Sequence, residues 1–282
     1  MVFRYTLSKA CLSSQGTVFI FTNSLYLRAI INYKSIKMKK LLFLLFLSIT
    51  TYSNSQVFYM DLMRVESADQ TQFENVQLNH YQKVAQDAVD KGNLINWVML
   101  RKVSGIGNYE GPNYIFVNGF QKIENITEDE LWYTANNTKK VLGIDPSLLT
   151  SGGTHLGRYF YKQEDYLDSG KMGKYVIMNR AKPTNNAQFI EENKSLWKPY
   201  FKKNMGKTGS TGWGIASRIA PYYEDSSTIL TWDAFDSMTN VMKYLAGENP
   251  LPASIANKTK MGELMPNGFK AIEIWEIIGS TN

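Results

Sequence analysis

Residues 58–65 read FYMDLMRV and residues 174–181 read KYVIMNRA. Both stretches are strand-like, rich in apolar and β-favouring side chains. They stand 116 positions apart, with Tyr59 falling on Tyr175 and Arg64 on Arg180. Sliding the chain by the same distance brings Phe73 onto Phe189, Tyr81 onto Trp197 and Trp97 onto Trp213. Between positions 59 and 103 no gap is needed, although only 6 of 45 residues are identical. The weight lies in scarce aromatic and charged residues that coincide, because an overlooked repeat mis-assigns a whole fold.

The elements on either side repeat in the same order. After the first strand, residues 71–92 carry Phe73, Val76, His80, Val84 and Ala88 at helical spacing, and Gly92-Asn93 closes the helix. Trp97–Val103 and Asn113–Val117 read as strands flanking a loop that contains Gly105 and Gly107. Ile126–Val141 is expected to be a second helix, with Thr127 at its N-cap and Glu130 three residues on. Arg158–Lys162 completes the first half as a strand. In the second half, Tyr175–Ala181 is a strand and Asn186–Gly206 a helix. Trp213–Ala220 and Ser227–Trp232 come next as strands, then Asp236–Ala246 as a helix and Ala271–Ile277 as the last strand. Residues 167–173 join the halves.

Each half therefore has the β-α-β-β-α-β order of a ferredoxin-like unit. Such a sheet has helices on one face only, and the bare face needs cover. The expected class is α+β: two ferredoxin-like repeats, residues 56–168 and 169–282, closing on each other as an intramolecular pseudo-twofold barrel. The strand-plus-long-helix opening, the turns before Trp97 and Trp213 and the passage Leu230–Phe235 carry a resemblance. The chain resembles the dimeric α+β-barrel superfamily in a fused, tandem form, and is most similar to its NIPSNAP-type and EthD-type branches. That resemblance implies a ligand space between the sheets. It also implies activities as varied as cofactor-free oxygenases, isomerases and haem-binding enzymes, so it narrows function little.

Residues 1–55 stand apart. Met38-Lys39-Lys40 precedes the apolar run Leu41–Leu47, and small residues lead up to Ser55. The pattern is that of a cleavable signal peptide at 38–55, with 1–37 an upstream extension that is not translated. The run is too short to span a bilayer, so no transmembrane span is expected. The product is expected to be exported, periplasmic or secreted. This leader holds seven lysines and arginines and no acidic residue, against 31 basic and 25 acidic residues in the whole chain. Residues 56–282 carry 24 basic and 25 acidic residues, a charge balance that speaks against nucleic acid as a partner. The single cysteine, Cys11, also lies in the leader, which excludes thiol chemistry from the mature part.

Period-two alternation sorts the strand residues by face. Met60, Leu62 and Arg64, with Val176, Met178 and Arg180, form the more apolar set and are expected under the helices. Tyr59, Asp61, Tyr175 and Asn179 are then expected to face the space between the sheets. There Asp61 is the candidate acid or base, joined by His155 from the loop that enters the fourth strand. Tyr59, Tyr175, Asn179, Trp97 and Trp213 are candidate ligand contacts, and Arg64 with Arg180 a candidate clamp for a carboxylate or phosphate. The bland reading of each is packing or a local ion pair. Two histidines without a cysteine make no metal site. No cofactor is expected; haem, through His155, is the rival that the resemblance raises.

Three functional readings are open. The chain binds a small, partly aromatic ligand; or it is a cofactor-independent oxygenase or isomerase using Asp61 or His155; or it is a non-catalytic envelope or interaction protein with a filled barrel. Fusion of the halves allows a monomer, and a homodimer is equally compatible with the sequence.

Overall fold

Strands that bury both faces need large apolar side chains at odd and even positions alike, and β1 (Val57–Arg64) has them: Val57, Phe58, Tyr59 and Met60 are all buried. It belongs to a computed structural model that describes residues 56–103, 111–126, 132–248 and 251–282. The leader, Cys11, the glycines at 105 and 107 and the expected cap at Thr127 lie outside the described residues.

The remaining strands are β2 (Asn96–Lys102), β3 (Tyr114–Phe120), β4 (Thr154–Asp168), β5 (Tyr175–Ala181), β6 (Ser210–Ala220), β7 (Ile229–Phe235) and β8 (Ala271–Ser280). They form a closed barrel in the order β1-β3-β2-β8-β5-β7-β6-β4, every neighbouring pair antiparallel. Advancing each strand number by four returns the same cyclic order. The seams between the halves are made by the two long strands. β4 pairs with β1 through Thr154–Lys162 and with β6 through Phe160–Asp168. β8 pairs with β5 through Ala271–Glu276 and with β2 through Trp275–Ser280. Closure leaves no barrel strand with an unpaired edge.

Helices lie against the outside. Helix α1 runs as Gln70–Val76, a π-helical turn Gln77–Tyr81 and Gln82–Asp90. Helix α2 is Ala135–Leu142, capped by Thr134, whose side chain accepts from the Asn137 amide. Helix α3 runs as Asn186–Glu192, a π-helical turn Asn193–Trp197 and Lys198–Asn204, and α4 is Met238–Leu245. The two π-helical turns also stand 116 residues apart. The short helices Ala253–Ala256 and Met261–Leu264 come after α4.

Several expectations change. Of the helix expected over 126–141, the described part is Ala135–Leu142 with Thr134 as its cap, and Ile123–Asn125 forms a 3-10 turn before the expected start. The linker shrinks to residues 169–174, since pairing with β6 extends β4 to Asp168. The face assignment is reversed. Met60 and Leu62 pack with Leu100, Ile115, Tyr161, Val176, Met178, Leu230 and Trp275 inside the barrel. Tyr59 instead packs beneath α1 with Phe73, Val84, Trp97, Tyr114 and Phe116. The physical reason is that both faces of β1 are covered, one by the barrel interior and the other by the outer helix layer, so relative apolarity does not tell them apart.

Candidate functional site

The barrel interior is packed in its middle and hollow at one end. Three inward positions of β6 are Gly212, Gly214 and Ala216, so that strand contributes almost no side-chain volume to this end of the interior. Its neighbour Trp232 fills part of the room by lying across Gly214; a Cβ built on Gly214 would stand 2.0 Å from the indole. What is left is a cavity of about 620 Å³ walled by Phe58, Met60, Val98, Met178, Trp232 and Ile277. Phe58 meets Trp232 edge-on at 6.0 Å and stacks on Tyr161 at 5.1 Å. Asn96, Gln163, Asp168, Lys171 and Thr211 supply polar groups around it, and the β4–β5 connection brings Met172, which is 64% exposed. Apolar walls with a few polar groups are the usual make-up of a small-molecule site.

A second constellation stands outside the barrel, where β1 and β4 pair. Asp61 lies opposite Arg158 in register. Arg158 grips it with two bonds, Nε to Oδ1 at 2.7 Å and Nη2 to Oδ2 at 2.9 Å. Nη2 of Arg158 also donates to the Tyr133 hydroxyl at 2.8 Å, and the guanidinium sits 3.9 Å above the Tyr59 ring. His155 Nε2 is 3.0 Å from Asp61 Oδ1, so the two expected catalytic residues are partners. An ionised carboxylate can only accept. Nε2 is therefore the donor to Asp61, and Nδ1 of the half-exposed imidazole is the nitrogen not engaged with it. Burial drives the Tyr59 phenol well above its usual pKa, with Tyr133 and Asp61 adding and Arg158 opposing. Burial works against the Arg158 cation, but its bonds to Asp61 and Tyr133 prevail and raise its pKa.

The other expected residues scatter. Asn179 is buried on the outer face of β5, donating to Thr231 Oγ1 at 3.3 Å and Asp233 Oδ2 at 3.2 Å. Burial pushes Asp233 up to about 7, with the Asn179 bond opposing. Tyr175 packs beside Ile177, Phe235 and Val241. Trp97 stacks on Phe116 and Trp213 on Phe201, each at 5.7 Å, as pillars beneath the helices; Trp213 also borders the cavity. Arg180 binds Glu273 at 2.9 Å, and Arg64 lies 3.7 Å from Glu66. Tyr59, Tyr175 and Asn179 thus do not converge on one ligand space. The sequence reading missed Arg158, Tyr133, Asp233 and Trp232. Pairing β1 with β4 in register would have exposed Arg158, and the glycines at 212 and 214 were the signal for a hollow wall.

Among the described residues no cluster of three or more His, Cys, Asp or Glu side chains could hold a metal ion. No described helix is long and apolar enough to cross a membrane. A surface groove of about 770 Å³ lies between Tyr200, Lys203 and the segment around Pro252–Lys258. Neither it nor the barrel cavity is bordered by a histidine, so these two spaces do not frame a histidine-ligated haem.

No protein-family model matches the chain, and no curated protein matches it in sequence. Solved structures do resemble it. A putative monooxygenase from Fusobacterium nucleatum is 8% identical, with a TM-score of 0.53 over 81% of this chain and 94% of that one. An anthrone oxidase-like protein is 9% identical, with a TM-score of 0.49 over 82% and 94%. A chlorite dismutase from Candidatus Nitrospira defluvii is 9% identical, with a TM-score of 0.44 over 81% and 92%. These neighbours are ferredoxin-like proteins of the dimeric α+β-barrel superfamily, and at such identities the likeness shows the fold alone.

Proposed function

We propose that the chain binds a compact, largely apolar and partly aromatic small molecule at the hollow end of its barrel. The observation that carries this reading is the cavity of about 620 Å³, with Phe58 and Trp232 in its wall and polar groups around it. That volume falls within the roughly 300–1,000 Å³ common for small-molecule sites. An anilinonaphthalene dye is expected to bind the protein at a single saturable site. Val98→Trp, which fills the cavity, is expected to abolish the fluorescence rise without lowering the unfolding midpoint. Equal dye binding by both proteins would remove the reading.

A second reading is an oxygenase- or isomerase-type enzyme, and the pairing of Asp61 with His155 favours it. The Fusobacterium nucleatum neighbour, a putative monooxygenase, points the same way. Here His155 Nδ1 takes a proton from an acidic C–H or O–H of the substrate, and Asp61 holds the ring and balances the imidazolium. His155→Ala and Asp61→Asn are each expected to lower turnover by about 100- to 10,000-fold, the usual weight of general-base catalysis. Measured against a panel of phenolic and enolic substrates, unchanged rates in both would end the enzymatic reading while leaving dye binding untouched.

The origin of the two halves by duplication belongs to the same proposal, with residues 56–168 and 169–282 as the copies and the NIPSNAP- or EthD-like branch as their kin. The cyclic strand order and the paired π-helical turns support it. Export through a signal peptide at 38–55 is a further part of the proposal. N-terminal sequencing of the secreted product is its test: a first residue far from Gln56 excludes it.

A further inference from the structure

The barrel end remote from the cavity is rich in buried charge. Lys102 on β2 and Arg218 on β6 stand 116 residues apart, as do Arg64 on β1 and Arg180 on β5, so each half contributes the same two cationic positions. Glu273 serves two of the four, accepting from Lys102 Nζ at 3.0 Å and from Arg180 Nε at 2.9 Å. Burial works to raise the Glu273 carboxyl, but the two cations outweigh it and hold it below its usual range. Arg64 lies beside the exposed Glu66.

Arg218 is different. It is only 4% exposed, and its partners are neutral. Nη2 donates to Ser227 Oγ at 2.9 Å and to the Tyr161 hydroxyl at 3.3 Å, while the guanidinium lies 4.4 Å over the Tyr159 ring. Among the described residues no carboxylate pairs with it, and its Nε–H has no hydrogen-bond partner. A buried cation without a counter-charge costs several kcal/mol. The two hydroxyls accept from Arg218, which leaves their own protons to donate. Among the described residues Nε–H has no acceptor, and the Tyr161 and Ser227 hydroxyls are seen only accepting from Arg218, so three donors are on offer. With both Nη2 protons given to Ser227 and Tyr161, the free Nε–H and the two hydroxyl protons are what an oxyanion would meet.

We propose that this end of the barrel binds a small oxyanion, a carboxylate or a phosphate, at Arg218, with the hydroxyls of Tyr161 and Ser227 completing the cradle. The site is distinct from the apolar cavity and stands without it.

The test is calorimetric titration of the full chain with inorganic phosphate and with acetate at constant ionic strength, with chloride as the reference. A saturable heat with phosphate alone supports the proposal and assigns a tetrahedral oxyanion; with acetate alone, a carboxylate. Arg218→Met, close in volume and without charge, is expected to lose the signal. Tyr161→Phe and Ser227→Ala, each removing one donor, are expected to weaken it by about 10-fold or more, as for a hydrogen bond to a charged group. Dye binding in the cavity should be unchanged in Arg218→Met and Ser227→Ala. Lys203→Met, in the surface groove, should bind the anion as the parent does. No saturable heat with either oxyanion, or equal affinity in the parent and in Tyr161→Phe, Ser227→Ala and Arg218→Met, overturns the proposal.

Discussion

Asp233→Asn is expected to raise the protein's stability at about pH 8 by about 4 kcal/mol and to leave it nearly unchanged at about pH 4, where the carboxyl is already protonated. Asp233 is 5% exposed, and burial lifts its pKa from 3.8 to about 7. Its folded pKa is therefore above its unfolded one. Between these two values the folded state holds a proton that the unfolded state has released, so stability falls as pH rises across that window. Above about pH 7 the whole penalty is present; below about pH 4 it is gone. The shift spans about 3 units, each worth about 1.4 kcal/mol, which gives the magnitude. Asparagine keeps an oxygen for Asn179 Nδ2 and removes the charge. The Tyr244 phenol, pushed well above its usual value first by Asp233 and then by burial, should move back towards it. Urea unfolding of parent and variant at several pH values checks this. Parallel curves at all pH values would show that Asp233 stays ionised in the folded chain.

Gly214→Val is expected to cost about 1–3 kcal/mol, the range for forcing extra volume into a packed wall. The new Cβ would overlap the Trp232 ring, which has to leave the strand surface and swing into the cavity. One substitution should therefore lower the urea midpoint and expel the dye together, whereas Val98→Trp expels the dye alone. A Gly214→Val protein that binds dye like its parent would mean that Trp232 moves elsewhere and is not part of the wall.

The legibility of the chain was uneven, for physical reasons. Strand and long-helix positions in both halves followed from local pattern, because Phe73, Val84, Phe189 and the tyrosine–arginine strands obey the periods of the elements they build. Faces were not legible. β1 carries bulky groups on both sides, and the side that looked less apolar, Tyr59 and Asp61, lies on the outer face of the barrel. Alternation tells which residues share a face but not what covers it. The pairing of Asp61 with His155 was half visible: both were singled out, yet the neighbour that fixes their charge, Arg158, depends on the β1–β4 register. Arg218 was invisible for the same reason, since its neutral partners Tyr161 and Ser227 are set by how the strands come together and by none alone.

The seam strands also bear on how such a chain comes off the ribosome. β8 locks against both β5 and β2, and β2 emerges about 170 residues earlier. Until the eighth strand is made, the sheet holding Met60, Leu62 and Leu100 has a margin without its neighbour and a greasy inner surface open to the surroundings. Nascent molecules therefore pass through a long interval of vulnerability, in which a chaperone or the complementary half of another copy can occupy the place kept for β8.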